Sequence, residues 1–447
     1  MLAFALPATA AIEALTQDIS GSGCTSTTPV SNAAGDAAAW QSDCNPTGAN
    51  ADGSLEIFRA TVGSPPTQLT TGSNCSSARP SSSADGLRIA FESNCDLTGG
   101  NPDGNLEIFL WKNGNLAQLT ASLGCDNLAP SLNGPGTFMA FESTCNLSGT
   151  SNDGRGSEIF RVSASGTLKQ LTVDAVGDCD STSASIDDSG TLVAFDSDCD
   201  LVGQNEDFAI EIFTVTAAGV VKQRTTVPDD SCSNVRPSMD GSGSLIAFLS
   251  DCDLIGNNGD RSDEIFTTDV AGSVKQVTNA GPGTACASGE PRMATSGDAV
   301  VYSSYCNANN SNPDGSIEVF QVGVGAAVGE SLAVTQGAGC SSIGGSLSAS
   351  GTRVMLDSDC NLASNNSDLS VEIFRAGACV CGGPVSRKAP PKASDALRTL
   401  RAAVGSDACA KCECDTNNDN QISAGDALRV LKKAVGQDGV SLVCPAL

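Results

Sequence analysis

The residues best equipped for chemistry in this chain are carboxylates and carboxamides, and they recur at fixed spacing. The stretch "CDLTGGNPDGNLEIF", Cys95 to Phe109, runs from a cysteine through a loop thick with Asp, Asn and Gly into a short apolar strand, and relatives of it occur seven times. Counted from that cysteine, position +8 is Asp in every copy: Asp52, Asp103, Asp153, Asp207, Asp260, Asp314 and Asp368. Position +1 is always Asp or Asn (Asn45, Asp96, Asn146, Asp200, Asp253, Asn307, Asn361), and six copies carry Asn at +6. Such oxygens can cap their own backbone amides in Asx-turns, holding a long loop that lacks a core. Alternatively, +1, +6, +8 and the Glu at +12 can surround calcium. The dipeptide Asp-Gly recurs, but the alternating acids of a calcium loop are missing, which favours turns and leaves the ion open. On either reading the seven Asp at +8 are candidate binding-face residues, on a face that attracts cations, a basic protein or a glycan.

The absence of histidine narrows the chemistry further. It removes Ser-His-Asp and Cys-His catalysis and every zinc site that needs an imidazole. Lys plus Arg number 24 against 51 Asp plus Glu, a net charge of -27, so nucleic acid and anionic membrane surfaces are excluded as expected partners. Two Trp and two Tyr leave few platforms for stacking bases. Twenty cysteines point to an oxidising, secreted or cell-surface location. Residues 1–10, "MLAFALPATA", read as a truncated signal-peptide-like segment ending in a small-residue cleavage pattern. No apolar run has the length of about 18 residues that a membrane span requires, so no membrane insertion is expected.

A second oxygen-rich loop stands near the C-terminus, "DTNNDNQISAGD", Asp415 to Asp426. Asp415, Asn417 and Asp419 supply side-chain oxygens at alternate positions, Gln421 a backbone carbonyl, and Ser423 and Asp426 complete the set. A hard cation needs this many oxygens on one short loop, and the spacing is that of an EF-hand calcium loop. The segments "ASDALRTLRAAVG" (393–405) and "AGDALRVLKKAVG" (424–436) each place Leu, Leu and Val on one helical face and end in Gly. The Asp at the twelfth loop position and the duplicated loop–helix resemble a type I dockerin, which implies bound calcium and a cohesin-like partner. The segment before Asp395 has no ligands, so one calcium site is expected where the resemblance implies two. Cys379, Cys381, Cys409, Cys412, Cys414 and Cys444 would staple this small module, with connectivity left open.

The elements that must position the repeated loops follow from the triplet Glu-Ile/Val-Phe. It begins at Glu56, Glu107, Glu158, Glu211, Glu264, Glu318 and Glu372, spaced by 51 to 54 residues. Each repeat holds about four short strands, as in "PSSSADGLRIAFES", then "EIF", then "LAQLT". A Leu-Thr-type strand follows six of the triplets but not the one at Glu372, and the missing copy is "IEALT", Ile12 to Thr16. A ring closed by an N-terminal strand needs that permutation, whereas a linear stack does not. The pattern "SxDGxxIAFxS…EIF…LT" resembles TolB-type, WD40-like propeller repeats over residues 11 to 378, a family that mostly binds proteins. The expected fold is therefore mainly β: a seven-bladed β-propeller over 11–378 closed by its N-terminal strand, a linker over 379–394, and a small α-helical dockerin-like domain over 395–447.

Fourteen cysteines form seven pairs, each 20 apart: Cys24/Cys44, Cys75/Cys95, Cys125/Cys145, Cys179/Cys199, Cys232/Cys252, Cys286/Cys306 and Cys340/Cys360. In an up-and-down blade both members lie on one face, and a bridge closing such a loop stabilises by roughly 3 kcal/mol. Trp40, Phe91, Phe141, Phe195, Phe248, Tyr302 and Leu356, four residues before each second cysteine, read as packing between blades. The functional expectation is a secreted, non-enzymatic binding or scaffold propeller with a calcium-stabilised tail. The alternative is a polysaccharide-active hydrolase or lyase using propeller carboxylates, against which the sevenfold uniformity of the acids argues.

Overall fold

The computed structural model describes residues 11–17, 23–149, 156–173, 179–227, 231–279, 286–307, 310–364, 366–377, 391–404, 416, 421–437 and 439–442. The signal-like segment 1–10 and the six C-terminal cysteines lie outside the described residues. Among the described residues the chain forms twenty-eight strands, β1 to β28 in chain order, and two helices, α1 (Ala393–Ala403) and α2 (Ala424–Ala434). No helix among them is long and apolar enough to cross a membrane.

The strands group into seven four-stranded antiparallel sheets. Blade 1 is β2 (Ser26–Ser31), β3 (Ala37–Ser42), β4 (Glu56–Thr61) and β5 (Thr67–Gln68), from the inside outwards. Each innermost strand touches its counterparts on both sides, which closes the ring. Blade 7 is composite: β26 (Ser342–Leu347), β27 (Arg353–Ser358) and β28 (Glu372–Gly377) are completed by β1 (Ala11–Ala14). Ile12 pairs with Ala376 and Ala14 with Phe374, so the N-terminal strand closes the seventh blade. The Thr16 hydroxyl accepts the Ile373 amide at 2.7 Å, just as Thr70 accepts Ile57 at 2.9 Å in blade 1.

The Glu-Ile-Phe triplet owes its regularity to three separate jobs. Successive side chains on a strand face opposite sides of the sheet. Ile57 and Ala39 therefore pack forward, against Phe91 and Phe109 of blade 2, while Phe58 and Trp40 pack backward, against Met355 and Ile373 of blade 7. The same joint recurs between all neighbours, as with Ala140 and Ile159 against Phe195 and Phe213. Within a blade the aromatics stack across strands, with ring centroids 5.7 Å apart for Phe91 and Phe109. Each fully buried Ile or Phe contributes about 1.5–3 kcal/mol, and every joint has several. The aromatic position thus packs between blades.

All seven 20-spaced cysteine pairs are bridged within their own blades, with Cα atoms 5.0 to 5.5 Å apart. The bridges lie on the side that carries the long Asp/Asn loops. The second cysteines are buried in six of the seven blades, Cys145 and Cys306 at 2% and 7% exposure among them. Every second cysteine donates its amide to the serine at the end of its own strand, as Cys145 does to Ser143 at 2.9 Å and Cys306 to Ser304 at 3.0 Å, which folds the cysteine back onto the blade. An apolar sulfur gains from that burial. The bridges Cys125–Cys145 and Cys286–Cys306 are therefore framework rather than surface.

In the tail, α1 begins at Ala393, the first residue of the helical segment expected over 393–405. The helices pack through Ala396, Ala427 and Val430, whereas Leu397, Leu400, Val404, Leu428, Leu431 and Val435 remain exposed. The Leu-Leu-Val faces therefore do not form the core between the helices; short side chains allow the closer approach.

Deleting residues 11–16 should lower the melting temperature by more than about 5 °C and produce oligomers through the open edge of blade 7. Calorimetry and size-exclusion chromatography test this; an unchanged melt would show that the ring does not depend on the strand. Thr16→Val should cost about 1–2 kcal/mol through the unpaired Ile373 amide.

Candidate functional site

The Asx reading of the long loops can be followed atom by atom. Asn50 Nδ2 donates to the carbonyls of Cys44 and Ser54, at 3.1 and 2.9 Å, and its amide is accepted by Asn45 Oδ1 at 2.8 Å. The +1 side chains Asp96, Asp200, Asp253, Asn307 and Asn361 accept the corresponding +6 amides at 2.8 to 2.9 Å. The +6 Asn side chains are buried and the +8 acids mostly exposed. Asp103 accepts the Gly124 amide and Asp314 the Gly339 amide, both at 3.0 Å, tying each loop to the segment that enters the next blade. Asp52, Asp260 and Asp368 accept from Ser54, Ser262 and Ser370. The Ser54 hydroxyl holds the Asp52 carboxyl below its usual range, and the Gly339 amide does the same for Asp314. Asp207 is half-buried, and Asp153 lies outside the described residues.

Cys24, Asp43 and Cys44 converge, as do the matching groups at Cys179, Cys232 and Cys340. These are the groups that come closest to metal-ligand geometry among the described residues. Their sulfurs are paired in cystines and offer no thiolate. Asp43 is used by the Thr25 amide, at 2.6 Å. Cys95, Cys145 and Cys306 stand apart, because Asn94, Thr144 and Tyr305 precede them where the other second cysteines follow Asp. A cation on this face would rest on oxygen donors.

A ring of residues that the repeat count hides lies on the innermost strands. Each of these strands carries a bulge, and in blades 1 to 6 the bulge residue is non-glycine at positive φ: Thr28, Arg79, Ala129, Ser183, Arg236 and Glu290. Five of their amides are accepted by a side chain of the preceding blade: Thr28 by Asp357 (2.9 Å), Arg79 by Gln41 (2.9 Å), Ala129 by Glu92 (2.7 Å), Ser183 by Glu142 (2.8 Å) and Arg236 by Asp196 (2.7 Å). Two residues on, a serine hydroxyl accepts an amide of the following blade, as Ser81 does from Leu132 at 2.9 Å. Beyond the serines, all seven blades line a central cavity of about 220 Å³.

Burial raises the carboxyls of Glu92 and Glu142, and the two acids repel one another's charge. Burial pushes Asp357 up to about 6, outweighing the Thr28 amide that favours its charged form. Sequence reasoning did not find these residues. The available signal was variation: three residues before the second cysteine stand Gln41, Glu92, Glu142, Asp196, Leu249, Ser303 and Asp357, amid neighbours that hardly change.

In the tail, the Asp426 carboxylate accepts the Thr416 amide at 2.8 Å, the Ser423 amide at 2.9 Å and the Ser423 hydroxyl at 2.8 Å. Burial would raise this carboxyl, but those bonds hold it below the usual range. Ser423 and Asp426 thus form a capping box that starts α2. Gln421 is exposed, and Asp415, Asn417 and Asp419 lie outside the described residues.

No protein-family model and no curated protein sequence matches the chain. Among solved structures it is similar to an oligogalacturonate lyase from Vibrio parahaemolyticus, at 12% identity and TM-score 0.53 over 83% of this chain and 97% of that one. It is also similar to the β-propeller domain of the Trilobed protease from Pyrococcus furiosus, a propeller of open velcro topology, at 10% identity and TM-score 0.51 over 79% and 93%. TolB from Acinetobacter baumannii shares 16% identity, with TM-score 0.39 over 81% and 65%. The likenesses to the lyase and to the protease domain establish the propeller fold and nothing finer.

The raised Asp357 carboxyl carries a pH signature. Its folded pKa of about 6 exceeds the unfolded value of about 3.9, so the folded state holds the proton more tightly. The resulting stability is fully present below pH ~3.9 and is lost as pH rises through about 6, a swing on the order of 3 kcal/mol. Asp357→Asn, which keeps an acceptor for Thr28, should remove this group's contribution between pH 4 and 6.5. Parallel melting profiles for the two proteins over that window would refute the assignment.

Proposed function

We propose that this chain is an exported, non-enzymatic binding propeller whose cystine-bearing face takes a protein or glycan ligand, with a calcium-stabilised, dockerin-like helix pair as its attachment module. The observation that carries this reading is the way its acids are used. The loop carboxylates hold amides at the entry to the next blade, and those of the second strands hold the bulge of the next blade's innermost strand. An acid–base pair for catalysis needs two carboxyls free to exchange protons with a substrate, in unlike surroundings. Here the repeated acids build a frame that presents exposed loops, with Asp52, Asp103, Asp260, Asp314 and Asp368 on them. Seven cystines suit an oxidising extracellular location, which favours export.

The tail would hold calcium through Asp415, Asn417, Asp419, the Gln421 carbonyl, Ser423 and Asp426, an all-oxygen set of the kind a hard cation takes. A cohesin-like partner is the attachment that the dockerin resemblance implies. A second reading is a polysaccharide lyase or hydrolase. It is favoured by the fold likeness to an oligogalacturonate lyase and by the raised Glu92, Glu142 and Asp357 carboxyls.

Screening the full-length protein against glycan and peptide arrays, with calcium and with chelator, should give saturable binding without turnover. Release of unsaturated or reducing ends from polygalacturonate or another polysaccharide would overturn the non-enzymatic reading. For the tail, calcium should protect residues 393–442 from proteolysis in the intact chain, and Asp415→Ala with Asp426→Ala should abolish that protection. Equal cleavage with and without calcium in the unmutated protein would remove the metal from the proposal.

A further inference from the structure

The ring departs from its own repeat most sharply at blade 6. Glu290 occupies the bulge position at φ 53°, a conformation that costs a non-glycine residue energy. The preceding blade offers Leu249 where Asp357, Gln41, Glu92, Glu142 and Asp196 stand at other joints, so no such side chain steadies its amide. Two residues on, Arg292 replaces the serine. In blades 2 to 5 and 7 that position is Ser81, Ser131, Ser185, Ser238 and Ser346, each accepting an amide of the next blade at 2.8 to 3.3 Å. Blade 6 gives up this bond and gains a cation.

The position of that cation is constrained by its neighbours. Arg236 has its amide on Asp196 of blade 4 and its guanidinium on Glu290 of blade 6, so its side chain must run along the bore-side edge of blade 5. Glu290 also faces Arg292, whose Nη2 lies 3.8 Å from Glu290 Oε2, too far for a hydrogen bond. Among the described residues the Arg292 guanidinium makes no hydrogen bond to protein, although 46% of its side chain is exposed. The matching residues of the other six blades, Val30, Ser81, Ser131, Ser185, Ser238 and Ser346, line the central cavity, and at this position blade 6 carries an exposed planar fork of five donors.

We propose that Arg292, which faces Glu290 without hydrogen-bonding it, binds the carboxylate of a ligand that enters the central channel. This subsite rests on the reading of the propeller as a binding protein and assigns one chemical group to its ligand. A bidentate guanidinium–carboxylate pair matches the free fork. The Glu290 charge and the net charge of -27 disfavour phosphates and polyanions, so a singly charged carboxylate is selected.

The carboxylate could come from a peptide C-terminus or from a uronic acid, and matched probes separate the two sources. Triglycine is compared with triglycine amide, and glucuronate with glucuronamide, by NMR titration of the full-length protein at constant ionic strength. At least one acid should bind and its amide should not. Arg292→Ser, which restores the serine of the repeat, should weaken that acid at least tenfold without lowering the melting temperature. Glu290→Gln, which removes the rival carboxylate, should tighten it, and Arg429→Ser on α2 should leave it unchanged. Equal binding of acid and amide, no binding of either acid, or full affinity in Arg292→Ser would overturn the proposal. A lowered melting temperature in Arg292→Ser would overturn it as well, by making the guanidinium a structural tie. A failed array screen beside a successful acid titration would reject the macromolecular ligand and keep the subsite.

Discussion

The buried glutamate at the head of each third strand is the interaction around which the repeats are organised. In blades 1, 3, 4, 5 and 6 it accepts the hydroxyl of a fourth-strand threonine: Thr70, Thr172, Thr225, Thr278 and Thr335. That threonine also receives the amide beside the glutamate, at 2.8 to 2.9 Å in these blades. The other carboxylate oxygen reaches the strand-to-blade crossing, as with the Val227 amide on Glu211 at 2.6 Å. One side chain thereby fixes the outer strand to the third and aims the chain at the next blade. A buried carboxylate left without these donors would be strongly unfavourable, so the motif cannot drift apart. Gly72 and Gly337 complete the crossing, because a Cβ at either would strike the sulfurs of the following cystine.

A ring built this way has two kinds of joint. Apolar interdigitation of Ala/Ile against Phe is nearly uniform around the molecule and supplies most of the cohesion. Polar ties on the innermost strands supply register, since each bulge amide and each serine hydroxyl selects one partner. Where every tie is present the channel wall is closed to other work. At blade 6 two ties are absent, and charged side chains occupy the space. Function in a repeat protein is best sought where repetition fails, because identical units can only produce identical environments.

The C-terminal helices obey a separate logic. Both begin in the same way: Asp395 accepts the Lys392 amide at 2.6 Å, and Asp426 accepts that of Ser423 at 2.9 Å. Small side chains, Ala396 and Ala427, set a close approach, and six larger ones, from Leu397 to Val435, stay on the outside. The polar caps start the helices, and the apolar faces formed by Leu397, Leu400, Val404, Leu428, Leu431 and Val435 stay outside their contact.

Much of this architecture was legible in the residues. The spacing of the Glu-Ile/Val-Phe triplets gave seven units, the displaced "IEALT" gave the closure, and the constant separation of 20 gave the disulfide pairs, because each of these is a local pattern with a single geometric solution. Spacing did not reveal how deeply the second cysteines sink into their blades, since burial depends on what packs over a bridge. The aromatic positions before the second cysteines were likewise legible as packing. The channel was not. Whether Glu92, Asp196 or Arg292 meets solvent, a neighbour or a bore depends on bulges that turn the innermost strands, and on a ring that brings blade 4 and blade 6 within reach of one arginine. The helical faces teach the same lesson, since periodicity identified an apolar stripe on each, but only the packing decided that alanine and not leucine would be buried. Sequence determines a repeat and its local chemistry through short-range spacing. The tertiary structure alone decides where the repeat's exceptions converge, because those contacts join residues some fifty positions apart.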